Sequence, residues 1–400
     1  MPPIAKHNPG KQFFFHAIAG LEHFFRNMPS LVPESLRSIR NFLFLQYDKP
    51  LGSAVHATPL FEAIRKTIPN AHISVAASPM AASVLKHNPH IDSCIVTPDP
   101  WQDFYGAVHA VRQLGLHFPT GPICLATTLG NQRSRLAFLA MLAGTAVRAG
   151  YMLADPLYDL PLTIHADRSQ IESNVDILRA LGHDVAAPEP RIFFDRDDAD
   201  YAIAALSQAS GDETKPRIVY ITQNSGAQPN QWRVERFQEV INTLTRTFDA
   251  PPVFVGSAQE AQNICALRES LHKKGISLAG KTTISQLAAV LSLCDAVVSL
   301  DTGSFHVARA VQLPGVVIAP GWQNPTEWLP LSHPLYRVLW GGPIPEETAD
   351  RYIDEISVEQ VIQATEELLT RNPSSISARQ TRLQRALYDN ELATTARKNT

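Results

Sequence analysis

The chain has 400 residues, and its 35 Lys and Arg against 38 Asp and Glu give a formal net charge of −3. A nearly neutral chain lacks the basic excess that a general nucleic-acid binder carries, and no apolar run reaches the roughly 20 residues that a membrane-spanning helix needs. A chain of this length usually exceeds a single hydrophobic core, so two domains are expected. The four cysteines stand far apart without a CxxC pair, which favours buried thiols over metal or disulfide chemistry.

Residues 1–40 form an N-terminal extension with an amphipathic character. Apolar residues, including Phe13, Phe14 and Phe15, alternate there with His and Arg, but no compact basic-then-apolar signal peptide is present. The segment predicts either a helix lying on a membrane surface or an extension packed on the protein's own body. We therefore expect a cytoplasmic protein, with a peripheral contact to the inner membrane left open.

From Asn41 onward, short β-rich runs alternate with helical stretches, which is typical of a doubly wound parallel sheet. The predicted strands are 42–45, 72–77, 93–96 and 123–126, and the predicted helices are 54–67, 81–87, 101–114, 132–143 and 169–181. A stretch rich in Pro and Asp follows from residue 182 to 216. The first domain is therefore predicted at 41–190, with the junction near residue 190.

The second half repeats the same plan, so a second Rossmann-like domain is predicted at 191–350. Its predicted strands are 218–222, 252–255, 276–278, 296–300 and 316–319, and its predicted helices are 234–247, 258–273, 284–293 and 305–311. Capping boxes at Thr283–Gln286 and Ser357–Gln360 mark two helix starts. The second box opens the helix of a C-terminal segment at 351–371, and a loosely held polar tail is predicted at 372–400.

The sharpest candidate site is the turn after the strand at 296–300. It reads Asp301, Thr302, Gly303 and Ser304, and His306 follows in the next helix. Free N–H groups at such a helix start, with the positive end of the helix dipole behind them, suit a phosphate or diphosphate. Asp301 could accept hydrogen bonds from sugar hydroxyls. The alternative is an ordinary capped helix start.

Two further turns follow strands of the same predicted sheet. One contains Ser225 and Gly226, and the other contains Glu260, which could hold a ribose. Ligands of open parallel sheets bind beyond the carboxyl ends of the strands. Each turn is weak evidence alone, but three turns at one sheet edge together favour a nucleotide site.

The order and spacing of these motifs carry a family resemblance. The Ala279-Gly280-Lys281-Thr282 turn, the 299–308 segment, Pro314 to Gly321 and the Asn324-Pro325 pair follow the hallmark pattern of bacterial heptosyltransferases. In the first half, the segments at 48–60 and 88–92 agree as well. The chain resembles the heptosyltransferase family, glycosyltransferase family 9, from about residue 41 to 330.

The resemblance implies a GT-B fold, in which two Rossmann-like domains face a central cleft. It implies inverting transfer of a heptose-like sugar from a nucleotide-diphosphate donor, ADP-linked by preference, to a glycan or lipopolysaccharide-type acceptor. No metal or other cofactor is implied. The second domain would hold the donor, with the backbone N–H groups of Thr302 and Gly303 on the diphosphate, and the first domain would hold the acceptor.

The sequence departs from the family pattern at two positions. Ser53 stands where the family has its catalytic Asp, and a hydroxyl does not accept a proton near neutral pH. Asp48 and His56 are the candidates to replace that base, and the alternative for His56 is an ordinary helix-surface histidine. Asn230 stands where the family has a lysine, so it can donate a hydrogen bond to the donor but supplies no charge.

These departures leave two main hypotheses about the function. One is an active transferase with a shifted base, and the other is a catalytically impaired relative that binds nucleotide or glycan as a scaffold. A sugar-nucleotide epimerase on the same fold is a third, weaker reading. On the acceptor side, Arg133 and Arg135 open a predicted helix and could meet an anionic acceptor or remain solvated.

Overall fold

The computed structural model describes residues 32–47, 50–119, 121–127, 134–145, 147–151, 157–165, 167–207, 214–223, 230–343 and 351–388. These residues form two parallel sheets of six strands each, both covered by helices. The predicted doubly wound α/β architecture is therefore confirmed for both halves of the chain. The N-terminal extension lies outside the described residues up to residue 31.

The first sheet has the strand order β3-β2-β1-β4-β5-β6. Its strands are β1 Asn41–Gln46, β2 His72–Ala77, β3 Ser93–Val96, β4 Ile123–Thr127, β5 Val147–Gly150 and β6 Leu160–Pro161. The helices of this half are α1 Pro33–Arg37, α2 Leu51–Thr67, α3 Pro79–Leu85, α4 Phe104–Gly115, α5 Ser134–Leu142 and α6 Gln170–Ala180.

The second sheet has the order β12-β11-β10-β7-β8-β9, which is the same topology. Its strands are β7 Ile218–Ile221, β8 Val253–Phe254, β9 Ile276–Ser277, β10 Ala296–Leu300, β11 Gly315–Ala319 and β12 Tyr336–Trp340. The helices are α7 Arg196–Ser207, α8 Val234–Phe248, α9 Ala261–Glu269, α10 Ile284–Ser292, α11 Gly303–Ala310, α12 Val358–Arg371 and α13 Ile376–Ala386.

Strand β1 lies in the middle of the first sheet, and this position accounts for its uninterrupted apolar run. Every residue of β1 is buried. Phe42 and Phe44 pack on the α2 side, where the Phe44 ring meets Phe61 edge-on with centroids 5.3 Å apart. Leu43 and Leu45 pack on the α4 side. A strand covered on both faces has no polar face to alternate with, so the run is continuous.

In each sheet the chain reverses its direction of winding between two neighbouring strands. The pairs are β1 with β4 in the first sheet and β7 with β10 in the second. Ligands of doubly wound folds bind in the crevice at this switch point, outside the carboxyl ends of the strands. The turn after β10 and the start of α2 after β1 therefore occupy the favoured positions of their sheets.

The helix after β1 begins earlier than the predicted residue 54. Its N-cap is Pro50, α2 starts at Leu51, and Ser53 lies inside the first turn rather than at the cap. His56 consequently lies in the second turn. Three strands, β5, β6 and β12, were not predicted from the sequence.

The segment after Arg371 corrects the prediction of a loosely held tail. Residues 376–386 form α13, which Ser375 caps by accepting a hydrogen bond from the Ala378 N–H. Arg379 on this helix is buried and forms an ion pair of 2.5 Å with Asp295. Beyond the helix, Leu387 bridges Phe194 in parallel fashion. The polar composition reflects a surface helix that the buried residues Arg379 and Ala386 hold on the protein.

None of the helices in the described part of the chain is both long and apolar enough to cross a membrane.

Candidate functional site

The turn after β10 has the geometry of an anion site. β10 is buried throughout, and α11 begins at Gly303, directly after Thr302. Thr302 is the N-cap, and its hydroxyl accepts a hydrogen bond of 3.4 Å from the Phe305 N–H. Gly303 and Ser304 occupy the first two helical positions and are partly exposed. Their N–H groups have no acceptor within the helix and can bind an anion.

Asp301 lies beside this helix start with its side chain 14% exposed. Burial raises the pKa of its carboxyl to about 6. One carboxylate oxygen, Oδ1, lies 3.7 Å from Nε2 of His306, which is too long for a hydrogen bond. The cap of α11 is Thr302, so Asp301 is not the capping residue.

Two glycines bring the helix starts of the two halves together across the cleft. A Cβ atom on Gly303 would lie 2.8 Å from Cβ of Leu51, and one on Gly52 would lie 2.6 Å from Cδ2 of His306. Such distances are far inside van der Waals contact. Glycine at both positions therefore allows the start of α2 and the start of α11 to touch.

His56 of α2 pairs with His306 of α11. His56 Nε2 lies 3.1 Å from His306 Nδ1, and the Trp328 ring packs against both, with centroids 5.2 and 5.8 Å away. Burial lowers the pKa of His306 to about 3 and that of His56 well below its ordinary value. Both rings are therefore neutral near pH 7, so one nitrogen of the pair donates and the other accepts.

The carboxylate of Asp301 near His306 Nε2 favours one arrangement of the ring protons in this pair. If His306 turns an Nε2–H toward the Asp301 carboxylate, its Nδ1 must accept from Nε2–H of His56. His56 Nδ1 then carries a lone pair, and it is buried without a hydrogen-bond partner. The backbone carbonyl of His56 accepts a bond of 3.0 Å from Asn174 Nδ2, which fixes α2 against α6.

Two of the three predicted catalytic residues are among the described residues, and both are buried. Ser53 is 5% exposed in the first turn of α2, and His56 is completely buried. Asp48 lies outside the described residues. His56 is thus not the helix-surface histidine that the sequence left as an alternative, because it lies between two packed helices.

The remaining donor-side candidates lie around the second sheet. The Glu260 carboxylate accepts a hydrogen bond of 2.6 Å from the Ser257 N–H, and so closes the turn after β8. Asn230 is 1% exposed and precedes Trp232, whose indole N–H donates to the Ile356 carbonyl. Ser225 and Gly226 lie outside the described residues.

On the acceptor side, Arg135 is exposed at the start of α5, and its guanidinium lies 4.9 Å above the centre of the Phe104 ring. Arg133 lies outside the described residues. The His56–His306 pair and Trp328 beside it were not predicted from the sequence. A signal for the pair was present, since the helices that follow β1 and β10 each contain a histidine.

Solved structures share this architecture. A glycosyl transferase family 9 protein from Veillonella parvula superposes with a TM-score of 0.72 at 22% identity, covering 83% of this chain and 98% of that chain. ADP-heptose LPS heptosyltransferase II of E. coli gives a TM-score of 0.66 at 19% identity, with coverages of 83% and 99%. The two facing Rossmann-ordered domains define the class: this is a GT-B glycosyltransferase fold.

The sequence comparisons add the family. Residues 131–345 match the model of glycosyltransferase family 9 (heptosyltransferase). Lipooligosaccharide heptosyltransferase 2 of Haemophilus ducreyi is 24% identical over 344 residues, which cover 80% of this chain and 97% of that protein. The chain belongs to glycosyltransferase family 9, and the predicted resemblance is confirmed.

Proposed function

We propose that this protein transfers a heptose-like sugar, with inversion, from an ADP-linked donor to a lipopolysaccharide-type glycan acceptor. The observation that carries the proposal is the contact between the helix starts of α11 and α2, where Gly303 meets Leu51. A diphosphate on the N–H groups of Gly303 and Ser304 would place the bond to be broken at the cleft between the two domains. Such a reaction belongs on the cytoplasmic side, with peripheral contact to the membrane that holds a lipid-linked acceptor.

The chemistry requires two kinds of group. The bond between the anomeric carbon and the phosphate oxygen breaks, and its electron pair stays on the departing diphosphate, where fixed N–H donors stabilise the added charge. The acceptor hydroxyl oxygen attacks from the opposite face and gives its proton to a base, which inverts the anomeric centre. Asn230 and Glu260 would contact the phosphate and ribose ends of the donor.

The base is assigned to Asp48 on two grounds. Ser53 has no carboxylate, and His56 is fully buried with Nε2 engaged by His306. A base must come within hydrogen-bond reach of the acceptor hydroxyl. His56 is instead proposed as a positioning residue that fixes His306 beside Asp301. Arg133 and Arg135 are proposed to meet an anionic acceptor.

A second candidate function is nucleotide binding without turnover. It is favoured by the buried Ser53 at the position of the family's base and by the neutral Asn230 at the position of the family's lysine. Under this alternative the protein is a scaffold with a retained donor site.

One set of measurements separates the candidates. Binding of ADP, UDP and GDP is compared by calorimetry, and nucleotide release is followed with ADP-heptose and a heptose-deficient lipopolysaccharide acceptor. We expect ADP binding and turnover, with Asp301→Ala weakening the binding of the ADP-heptose donor about tenfold or more. Asp48→Asn should reduce kcat by about 100-fold or more while ADP affinity is retained.

Other results would support a different function or contradict the proposal. ADP binding without donor consumption would support the scaffold, and donor conversion without any acceptor would indicate an epimerase. Full activity in Asp48→Asn would remove Asp48 as the base. A chain that binds none of the three nucleotides would contradict the proposal and the nucleotide-binding scaffold together.

A further inference from the structure

Three metal-ligating side chains meet where the first half of the chain joins the second. His87 follows α3 in the first half, and Asp195 and Asp198 flank the start of α7. Nε2 of His87 lies 3.6 Å from Oδ2 of each aspartate. All three donor atoms lie within 4.8 Å of one another. They share no residue with the cleft between α2 and α11.

The two carboxylates are held in place by the helix start. Oδ1 of Asp195 accepts a hydrogen bond of 2.9 Å from the Asp198 N–H, which leaves its Oδ2 toward His87. Oδ2 of Asp198 lies 3.5 Å from the Asp195 N–H. Such outer contacts orient ligating oxygens in metal sites.

The histidine nitrogen at the centre of the cluster has no hydrogen-bond partner. His87 Nε2 is buried, and the side chain is 12% exposed. If the ring proton is on Nδ1, three lone-pair donors converge on one point. Their mutual repulsion is relieved by a cation between them.

We propose that His87, Asp195 and Asp198 bind one divalent cation of the Zn²⁺ class. Bonds of about 2.1 Å in a tetrahedral arrangement separate neighbouring ligand atoms by about 3.4 Å, which is close to the 3.6 Å found here. One imidazole and two carboxylates suit zinc, and a water completes four ligands. Asp195 is 37% exposed, so the ion can enter from solvent.

The position of the cluster gives the ion a structural role. Helix α7 belongs with the second half, because the Tyr201 hydroxyl on it donates to the Lys281 carbonyl at 2.7 Å. His87 belongs with the first half. A bound cation therefore ties the two domains together beside their junction. It takes no part in sugar transfer, which is expected to need no metal.

The test is a zinc titration of the metal-stripped full-length protein, by calorimetry and by thermal unfolding. We expect one Zn²⁺ per chain and a rise in Tm of about 3 °C or more at saturation. His87→Ala should weaken binding about 100-fold or more, and Asp195→Asn, which keeps its capping oxygen, about tenfold or more. If either variant is less stable, the zinc-dependent rise in Tm is still measured against its own metal-free value.

His183→Ala is the matched control. His183 also has a buried Nε2 without a partner, but the charges near it are Arg37 and Arg40. This variant should bind zinc like the wild type. The proposal is overturned if the wild type does not bind zinc at millimolar concentration, or if His87→Ala retains wild-type affinity.

Discussion

His56 Nε2 and His306 Nδ1 lie 3.1 Å apart and form a buried side-chain hydrogen bond between the helices that follow β1 and β10. Each helix starts at the switch point of its sheet, where doubly wound folds bind ligands. The hydrogen bond therefore shows that the two halves of the site are in direct contact. His306 also lies 3.7 Å from Asp301, so we expect a change at His56 in the first domain to affect the proposed donor turn in the second.

Replacement of His56 by alanine should both destabilise the protein and weaken donor binding. The change leaves a cavity against Trp328 and removes the partner of His306, and each buried loss of this kind costs about 1–3 kcal/mol. His56→Gln keeps an amide N–H near the position of Nε2 and should recover part of the loss. The free energy of unfolding and the Kd for ADP are measured for both variants. Equal effects of Ala and Gln would show that the hydrogen bond contributes nothing.

The close approach of the two helix starts predicts that a side chain added at Gly303 lowers the activity. In Gly303→Ala the new methyl group would lie 2.8 Å from Leu51 Cβ, so the helices must separate. Overpacking of this kind costs about 1–3 kcal/mol. We expect Gly303→Ala to lower kcat/KM about tenfold, measured as nucleotide release.

Gly115→Ala is the matched control for this substitution. Gly115 ends α4, and the nearest atom to its added methyl group would be 3.9 Å away. This variant should keep wild-type kcat/KM. A Gly303→Ala protein with unchanged kinetics would mean that the contact with Leu51 does not set the geometry of the site.

The ion pair between Arg379 and Asp295 predicts that the C-terminal helix stabilises the second domain. Both side chains are almost completely buried. Arg379→Ala leaves the Asp295 carboxylate with a backbone bond from Arg217 and a more distant Arg382, so we expect a loss of about 3 kcal/mol in unfolding free energy. Arg371→Ala breaks an exposed pair with Glu367 and should cost less than about 0.5 kcal/mol. Chemical denaturation measures both, and equal losses would contradict the assignment.

Much of the fold follows from local pattern. β10 occupies the predicted residues 296–300, and β2 and β3 also match, because each run is bounded by turn or helix signals on both sides. The missed strands β5 and β6 are short and contain Arg148 and Pro161. β5 is defined by its pairing with β4, and β6 by its pairing with β5, rather than by their own composition, so periodicity could not find them.

The site was predictable only within each half. The turn after β10 and the helix that follows it were predicted from a local pattern of strand, small polar turn and helix, although α11 begins at Gly303, two residues before the predicted residue 305. The contact of His56 with His306 joins residues 250 positions apart. No local sequence pattern predicts that the two helix starts are in contact. The glycines that permit this contact cannot be distinguished in the sequence from ordinary turn glycines. The α13 helix was missed for a similar reason, since its buried Arg379 pairs with Asp295, which is 84 residues away in the sequence.

The raised pKa of Asp301 predicts how stability changes with pH. Burial raises this pKa from an ordinary value near 3.8 to about 6, so the folded state holds a proton that the unfolded state has lost at intermediate pH. The stabilisation from that proton is fully present below about pH 4 and is lost as the pH rises through about 6. Asn at this position cannot ionise, so the unfolding free energy of the wild type relative to Asp301→Asn should fall by up to about 3 kcal/mol between about pH 4 and 7.

Asp354 provides a control with the opposite sign. Arg233 holds the pKa of the Asp354 carboxyl below its ordinary value, so its stabilisation is lost as the pH falls rather than as it rises. The wild type relative to Asp354→Asn should therefore show no loss of unfolding free energy across the range where Asp301 titrates. Chemical denaturation at a series of pH values measures both differences. If wild type and Asp301→Asn differ by a constant amount from about pH 4 to 7, the Asp301 carboxyl does not titrate there. The proposed donor turn would then carry a constant negative charge over this pH range.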